Sequence, residues 1–403
     1  MKFAHMADCH IGGWRDPKLK KISLEAFQRA VDICINKEVD FVLISGDLFN
    51  NSFPQIDLLK ETVRKLKQLQ EKNIPVYIIA GSHDFSPSGK TILDVLEEAG
   101  LCINVVQGKV EDKKLKLKFT IDRNTGAKIT GMIGRRGMLE RSYYEVLDKK
   151  HLESEPGFKI FMFHTALTEL KPKNLERMDS APISFLPKNF DYYAGGHVHI
   201  VEKASLHGYT NVVYPGPLFP NNFYELEELQ RGGFYFYDNG ETSYEPIQIY
   251  NVHSLKIDAS HKLPEQLTDE IIALIKDREF NKTIVLLRIK GTLESGKTTD
   301  IDFRKITSLL YSKSAYFVMR NTNKLKSREF EEIKIKASTA EEIEESVIEE
   351  HLGQIPVKAW DLEEERKFTH QLMMLFSREK KEGEKVYEFE ERIRKEAEEL
   401  LRV

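Results

Sequence analysis

Short apolar runs alternate with amphipathic stretches through the first half of the chain. Five of these runs have the length of a strand and end at turn residues: FAHMA, VDFVLIS, IPVYIIAG, FKIFMF and FDYYAGG. Runs of this kind predict buried strands. Between the first two lies SLEAFQRAVDICINK, in which Ser23 is a suitable N-cap and the apolar residues share one helical face. QIDLLKETVRKLKQLQEK predicts a second helix. Strand–helix–strand alternation predicts a layered α/β domain with parallel strand pairs.

One segment breaks the parallel pattern. In KLKLKFTIDRNTGAKITGMIG, apolar residues alternate from Leu115 to Ile121, and a turn over residues 123–126 leads into a second apolar run. This arrangement predicts a hairpin. We therefore expect mixed sheets rather than a wholly parallel one.

The pattern restarts near Pro246. It predicts the strand VHSLKI, the helix LPEQLTDEIIALIKD, the strand TIVLLRIKG, the helix DFRKITSLL and the strand AYFVM, which together make a small second α/β unit. After Lys324 the sequence predicts two long charged helices, one over STAEEIEESVIEEHLG and one over DLEEERKFTHQLMMLFSREKKEGEKVYEFEERIRKEAEELL. We place the domains at residues 1–245, 246–325 and 326–403.

Composition narrows the class of protein. A chain of 403 residues with 41% hydrophobic and 31% charged residues fits two or three folded domains, and a net charge of −4 argues against a uniformly basic coat for nucleic acid. Cys9, Cys34 and Cys102 are too few and too widely spaced for a disulfide framework or a zinc ribbon. No apolar stretch reaches transmembrane length, and MKFAHMADCH does not resemble a signal sequence. We expect a cytoplasmic protein.

The residues that close the five predicted strands are of metal-binding types. They are Asp8 and His10, then Asp47, then Ser82-His83-Asp84, then His164, and finally His197 and His199. Open α/β sheets bind ligands at the carboxyl ends of their strands, and imidazoles with carboxylates suit manganese, iron or zinc. One catalytic ion uses about three protein ligands, so this many donors favour two ions that share a carboxylate, about 3.5–4 Å apart. Each motif alone is more often structural, but five in order favour a metal site.

Ser82, His83 and Asp84 are also the residue types of a hydrolytic triad. A triad, however, is normally assembled from distant positions in the chain. Ser82 also lacks the G-x-S-x-G turn that exposes a nucleophilic serine. We therefore do not expect Ser82 to act as a nucleophile.

In this order the motifs resemble the blocks of the calcineurin-like metallophosphoesterases, which run D-x-H, G-D, G-N-H-[DE], H and G-H-x-H. Within that superfamily, FAHMADCHIG, SGDLF, GGHVH and VVYPGP resemble the meiotic-recombination-eleven nucleases of archaea and eukaryotes and their bacterial SbcD counterparts. The resemblance is strongest over the first domain and mainly architectural in the helical tail. It implies a layered α/β phosphoesterase domain with mixed sheets, a small α/β capping domain that contacts DNA, and a C-terminal helical hairpin.

The resemblance also implies a role for each motif residue. One ion would be bound by Asp8, His10 and His199, the other by His164 and His197, and Asp47 would bridge the two. Ser82 stands where the family has an asparagine ligand of the second ion, and its hydroxyl is a weaker donor. His83 would stabilise the transition state or protonate the leaving group, with Asp84 orienting its ring. The implied cofactors are two divalent metal ions, with manganese as the first candidate.

The resulting hypothesis is a two-metal DNA exo- and endonuclease that processes and tethers double-strand-break ends. One alternative is a small-molecule phosphodiesterase or phosphatase on the same fold, although such an enzyme needs no chain beyond residue 246. The other is a non-catalytic DNA-end tether whose site is weakened by Ser82. No arginine follows the G-D block in GDLFNNSF, which argues against a phosphoprotein phosphatase.

GTLESGKT, at residues 291–298, satisfies the Walker A pattern G-x-x-x-x-G-K-[ST]. No apolar run ending in a Walker B acid follows it, and the surrounding unit is small for a nucleotide-binding core. We therefore expect a hairpin or loop beside DNA at this place rather than a nucleotide site.

The resemblance implies two protein partners besides DNA, and no membrane. Two predicted helices carry more apolar residues than one buried face needs, which suggests a homodimer through helices near residues 55–72 and 90–99. In the first, Leu58 and Leu69 lie off the stripe formed by Ile56, Leu59, Val63 and Leu66, and in the second the apolar residues are Ile92, Leu93, Val95 and Leu96. The two tail helices would bind an SMC-like ABC ATPase of the SbcC or radiation-sensitive-fifty family, through a narrow apolar face and across a connecting loop. That face comprises Ile343, Val347, Ile348, Phe368, Leu372, Leu375 and Phe376, and the loop contains Gly353 and Pro356. The expected location is the nucleoid of a prokaryote, of archaeal type.

Overall fold

The computed structural model describes residues 1–86, 89–135, 137, 139–172, 178–328, 361–378, 380–381 and 384–401. The chain divides into two compact units. The first comprises Met1–Leu293 and Lys297–Leu325, and the second comprises Glu294–Gly296 and Lys326–Val403.

The strands of the described residues follow in chain order. They are β1 (Lys2–Met6), β2 (Phe41–Ser45), β3 (Val76–Ile79), β4 (Ile103–Asn104), β5 (Gly108–Glu111), β6 (Lys114–Leu117), β7 (Thr120–Ile121), β8 (Lys128–Gly131), β9 (Lys159–His164), β10 (Tyr192–Gly196), β11 (Val201–Leu206), β12 (Tyr209–Pro215), β13 (Gly232–Asp238), β14 (Glu241–Ile247), β15 (Asn251–Asp258), β16 (Thr283–Leu293) and β17 (Ala315–Ser327). The α-helices are α1 (Pro17–Asn36), α2 (Ile56–Glu71), α3 (Ile92–Glu98), α4 (Arg141–Glu145), α5 (Lys149–Ser154), α6 (Phe223–Leu229), α7 (Pro264–Ile275), α8 (Phe303–Ser312), α9 (Leu362–Phe376) and α10 (Val386–Leu401).

Two six-stranded sheets form the body of the first unit. One has the order β14-β13-β1-β2-β3-β4 and the other β11-β12-β10-β9-β8-β7. Strands β1 to β4 run parallel, and β13 joins β1 antiparallel. In the second sheet β8, β9, β10 and β12 are parallel, with β7 and β11 antiparallel at the edges. The predicted mixed sheets are confirmed, and all five predicted strands of the first domain are present.

The two sheets pack face to face, with helices on the outer faces. Phe3 of β1 stacks on Phe41 at 4.9 Å between ring centroids and meets Tyr192 of the other sheet edge-on at 5.1 Å. Its neighbour Ala4 points the opposite way, into the cluster formed with α1, α2 and α3. Successive residues of the strand thus pack into two different cores, because their side chains point to opposite faces of the sheet. Burial on both faces explains why these strands appear as continuous apolar runs in the sequence.

Two local predictions were wrong. Helix α1 begins at Pro17 with Asp16 as N-cap, whose carboxylate accepts a hydrogen bond from the Lys18 N–H, so Ser23 is not the cap. Proline is well suited to the first turn of a helix, since its missing N–H would have no partner there. The predicted first strand of the 114–134 hairpin is divided: β6 pairs with β5, and only the short β7 pairs with β8 across the predicted turn. The β5–β6 turn is made by Asp112 and Lys113, both with positive φ, without the Asn-Gly or Asp-Gly signal of such turns.

Downstream of β14, the predicted strand–helix–strand–helix–strand series is confirmed. It forms a three-stranded sheet, β15-β16-β17, that shares an apolar cluster with α7 and α8. The Walker-like segment has no P-loop geometry: Gly291 lies inside β16, and the next regular element is a 3₁₀ turn at Thr298–Asp300. A P-loop would instead lead from a strand into a helix N-terminus.

The described part of the second unit contains α9 and α10. The sequence predicted one helix over residues 361–401, which is wrong: α9 ends with Ser377 as its C-cap, and α10 begins at Val386. Asp361 starts α9 with a capping box to Glu364. The helix predicted over STAEEIEESVIEEHLG, with Ile343, Val347 and Ile348, lies outside the described residues, as do Gly353 and Pro356. Among the described helices, none combines the length and the apolar character needed to cross a bilayer.

Candidate metal centre

The predicted metal-binding residues converge at one edge of the sandwich. Strands β1, β2 and β3 of the first sheet and β9 and β10 of the second end at this edge, since each set runs parallel. Asp8, Asp47 and the 82–84 triplet follow the first three strands. His164 ends β9, and His197 follows β10. The site therefore draws its residues from both sheets.

The backbone is left-handed at five of the predicted metal-binding residues. They are Asp8 (φ 48°), His10 (φ 40°), Asp47 (φ 51°), His197 (φ 93°) and His199 (φ 53°). Each such conformation costs of order 1–3 kcal/mol and persists only where surrounding structure enforces it. Here the loop after β1 and the loop after β2 hold each other in place. The Asp8 N–H donates to the Gly46 carbonyl at 3.1 Å, and the His10 N–H donates to the Asp47 carbonyl at 2.9 Å. Clustered strain of this kind points to a functional site.

Asp47 lies at the centre of the group. Its Oδ2 is 3.2 Å from His164 Nε2 and 3.7 Å from His10 Nε2, and its Oδ1 accepts the His83 backbone N–H at 2.7 Å. The carboxylate is buried, with 1% of the residue exposed. It reaches both the His164 side and the His10 side of the site.

A second group forms around Asp8. The Nε2 atoms of His10 and His199 lie 2.9 Å apart, and His199 Nε2 is 3.7 Å from Asp8 Oδ1. The His197 backbone N–H donates to both Asp8 carboxylate oxygens, at 2.9 and 3.0 Å. These bonds position the Asp8 carboxylate toward the two imidazoles.

Glycines make room for His164. Gly46 has φ +85°, and a Cβ there would lie 2.2 Å from His164 Nδ1. A Cβ on Gly196 would lie 2.2 Å from the Ser45 carbonyl oxygen and 2.8 Å from His164 Nδ1. The Ser45 carbonyl in turn accepts the His164 Nδ1–H at 2.8 Å. Because a carbonyl only accepts, Nδ1 bears the proton in the neutral ring, and Nε2 faces the site.

His197 and Ser82 stand at the margin of the group. The His197 ring lies beside His164, with ring centroids 5.1 Å apart, but it is absent from the tight donor sets of the described residues. Ser82 is 8% exposed, and its hydroxyl lies 3.4 Å from Asp47 Oδ2. The structure thus brings Ser82 next to Asp47, and whether it binds an ion directly stays a prediction.

His83 is oriented differently from the prediction. Its Nδ1 contacts the Asn50 backbone carbonyl at 2.8 Å, so Nδ1 carries a proton and Nε2 is left to accept or give one. Asp84 does not hold this ring. Its fully buried carboxylate accepts backbone N–H groups from Asp47 and Gly81, at 2.9 and 2.8 Å. Asp84 therefore clamps the loops after β2 and β3 together.

Sequence reasoning missed Glu225. This residue of α6 accepts the His199 Nδ1–H through Oε1 at 2.9 Å, which leaves His199 Nε2 directed at the site. Metal-binding histidines typically donate their second ring N–H to a carboxylate or carbonyl in this way. Only the short helical pattern in NNFYELEEL offered a signal, and nothing in it indicates contact with a residue 26 positions away.

His5 was missed as well. It lies fully buried between the sheets, 3.1 Å from the Tyr192 hydroxyl and 3.0 Å from the Ser45 hydroxyl, and burial lowers its pKa to about 3. The neutral ring thus fixes the residue whose carbonyl orients His164. Its place inside an apolar run made it look like part of a strand core.

The protonation states of the histidines depend on burial and on the carboxylates beside them. Burial opposes charge on His164, but the Asp47 carboxylate raises the pKa of that ring to about 10. Burial likewise opposes charge on His199, while Asp8 and Glu225 raise its pKa to about 9. Burial lowers the pKa of His197 to about 3, with the charge on His164 adding to the effect. Without bound cations, protonated imidazoles thus supply the positive charge that the carboxylates require.

The donor set fits divalent metal ions. Three sets have donor atoms within 4.8 Å of one another: Asp8, His10 and His199; His10, Asp47 and His83; and Asp8, Asp47 and His164. His10 Nδ1 and His164 Nε2 are buried atoms without a hydrogen-bond partner. The 2.9 Å separation of the His10 and His199 Nε2 atoms matches the roughly 3 Å between two ligands at right angles around an ion with bonds of about 2.1 Å. Oxygen and imidazole donors suit manganese, iron or zinc.

Comparison with known proteins places this site in a family. The sequence profile described as calcineurin-like phosphoesterase matches residues 1–201, which contain every predicted metal-binding residue and His83. The chain contains, in residues 1–201, a domain of the calcineurin-like phosphoesterase family. Its domain is therefore a metal-dependent phosphoesterase, and the predicted family and fold class are confirmed.

Three archaeal relatives are described as DNA double-strand break repair protein Mre11. The Methanopyrus kandleri protein is 27% identical over 265 residues, which is 62% of this chain and 57% of that protein. The Archaeoglobus fulgidus protein is 24% identical, over 83% of this chain and 77% of that protein. The Sulfolobus acidocaldarius protein is 27% identical, over 87% of this chain and 90% of that protein. The chain thus spans little more than half of the Methanopyrus relative and most of the other two.

Proposed function

We propose that the chain is a two-metal nuclease that hydrolyses phosphodiester bonds at DNA ends during double-strand-break repair. The observation that carries this proposal is a group of overlapping donor sets that share Asp47 and Asp8, and within each set the donor atoms lie within 4.8 Å of one another. It is supported by the names of archaeal relatives that align across most of the chain. Similarity across the part beyond the phosphoesterase profile argues against a small-molecule phosphodiesterase, which needs no such addition.

The position of each residue in the site indicates its proposed role. Asp8, His10 and His199 would hold one divalent ion, His164 and His197 the other, and Asp47 would contact both. When bound, the ions supply positive charge that stabilises a phosphodiester transition state and lowers the pKa of a water molecule. His83 Nε2 is free to move a proton, because its other nitrogen is committed to the Asn50 carbonyl. We assign to His83 the protonation of the departing alkoxide. Manganese is the proposed ion.

A substrate panel tests the proposal. The full chain with manganese is offered linear plasmid, single-stranded DNA and bis-p-nitrophenyl phosphate, with Asp47→Asn as the inactive control. Cleavage of both DNA substrates, lost in the control, is expected. Hydrolysis of the nitrophenyl diester without DNA cleavage would indicate a small-molecule diesterase. Binding of DNA ends without hydrolysis of any substrate would indicate a tether.

We further propose that the tail helices bind the coiled coil of an ABC ATPase. On α9, Met374 and Phe376 are 57% and 64% exposed, whereas Leu375 is 2% exposed. Of the predicted apolar face, Leu375 is thus buried and Phe376 is exposed to a partner. Deleting residues 330–403 should abolish co-purification with the ATPase and leave manganese-dependent cleavage near normal. Retained association would contradict this assignment.

A homodimer through α2 and α3 completes the proposal. Ile56 and Val95 are 82% and 60% exposed, while Leu66 and Leu96 are buried against the sheet. The helices therefore carry more apolar surface than the core uses. With DNA as substrate, the proposed location is the nucleoid in the cytoplasm of a prokaryote.

A further inference from the structure

Helix α6 connects two parts of the first unit. It spans seven residues, starts at the N-cap Asn222 and buries Leu226 completely in the core between β-sheet and helices. Two of its acidic residues, Glu225 and Glu227, are two positions apart and therefore point to different sides of the helix. Each is engaged by a different partner.

Glu225 is held rigidly toward the metal centre. One carboxylate oxygen accepts the His199 Nδ1–H at 2.9 Å, and the other accepts the Asn221 backbone N–H at 2.7 Å. The Asn222 side chain caps the helix by accepting the Glu225 N–H at 2.9 Å. The carboxylate and the backbone that carries it are thus both fixed, so the His199 ring has one favoured orientation.

Glu227 is held by the three-stranded sheet. Its carboxylate pairs with Arg288 of β16, and Oε2 lies 2.8 Å from both Nη2 and Nε of that side chain. The carboxylate also accepts the Ser254 hydroxyl of β15 at 2.9 Å. Glu227 is 9% exposed. The Arg288 guanidinium also lies 5.0 Å from the centroid of the Phe223 ring, at the start of the same helix. Bidentate pairs of this kind fix geometry as well as contributing energy.

We propose that Glu225 is a positioning residue for the metal ligand His199, and that the three-stranded sheet sets its position through the Glu227–Arg288 pair. The small α/β unit then has a role in the phosphoesterase site although it contributes no donor to the clusters. Glu225 selects the His199 tautomer with Nε2 directed at the ion and makes that nitrogen a stronger donor. This inference rests on the proposed metal centre and does not depend on the substrate being DNA.

The test measures manganese binding to the full chain by calorimetry, together with steady-state hydrolysis of bis-p-nitrophenyl phosphate. Glu225→Ala is expected to weaken one of the two ions 10- to 100-fold and leave the other unchanged. Glu225→Gln should recover part of this loss, because its amide oxygen can still accept the Nδ1–H. Glu228, exposed on the same helix, provides the control: Glu228→Gln should bind both ions as the wild type does.

The role of the Glu227–Arg288 pair is tested by replacing both of its members, as Glu227→Met combined with Arg288→Met. Removing both partners avoids a buried unpaired charge and is compatible with a folded chain. We expect weaker binding of the same ion that Glu225→Ala affects. Wild-type affinity in both Glu225 variants would overturn the inference, and wild-type affinity in the double variant would overturn the role of the sheet. A wild-type chain that binds two ions but cleaves no DNA would refute the nuclease, and the binding data would still decide this inference.

Discussion

Ion binding at this site should release protons, and the number can be counted. In the metal-free protein, Asp47 raises the pKa of His164 to about 10 and Asp8 with Glu225 raises that of His199 to about 9, each against the opposing effect of burial. Both rings are therefore protonated at pH 7. An ion can bind only to the unprotonated nitrogen, so it must displace one proton from each ring.

The cost of displacement follows from the pKa values. At pH 7, removing a proton from a group of pKa about 10 costs about 4 kcal/mol, and from one of pKa about 9 about 2.7 kcal/mol. The apparent affinity for each ion should therefore rise about tenfold when the pH rises from 7 to 8. An ordinary histidine, with a pKa of about 6.5, would release only about a quarter of a proton at pH 7.

Calorimetry in two buffers of different protonation enthalpy counts the protons released per ion. We expect about one proton for each ion at pH 7, and a smaller release in Asp47→Asn, where the group that raises the pKa of His164 is missing. A release of a quarter proton or less, or an affinity equal at pH 7 and 8, would refute the assigned charges. The same shifts predict that the metal-free protein loses stability as the pH rises: the contribution is complete below pH 6.5 and is lost as the pH passes about 9 to 10.

Four further predictions concern substitutions in the site and on the proposed dimer surface. His83→Gln should lower turnover 10²- to 10⁴-fold with two ions still bound; loss of metal content, measured by elemental analysis, would assign His83 to the ligands. Asp47→Asn should lower both turnover and metal content, since Asp47 contacts both clusters; retention of both ions would remove its bridging role. Ser82→Asn should lower the manganese concentration needed for half-maximal activity, and an unchanged titration would show that the second ion is already fully coordinated. The double variant Ile56→Asp with Val95→Asp should be a monomer where the wild type is a dimer, as measured by light scattering at micromolar concentration. A wild-type monomer would exclude this interface.

The sequence predicted the strands and the donors because both depend on local signals. A buried strand shows as an apolar run, and parallel strands bring their carboxyl ends to the same edge. The contacts that orient the donors are not local. Glu225 reaches His199 across 26 positions, and His83 is held by the carbonyl of Asn50, a group present in every residue. Asp84 was assigned wrongly for the same reason, since adjacency in sequence does not place two side chains on one side of a loop.

The site takes donors from two sheets, and this has a thermodynamic consequence for the whole domain. Asp8 and Asp47 follow strands of one sheet, and His164 ends a strand of the other. An ion bound between them ties the layers together, much as a cross-link would, and it can bind only when the layers are in register. By linkage, free ion at 100 times its dissociation constant adds about 2.7 kcal/mol to the free energy of unfolding for each site. The bound divalent ions would then act as folding ligands as well as cofactors, and chelation would lower the melting temperature of the phosphoesterase domain before any chemistry is measured.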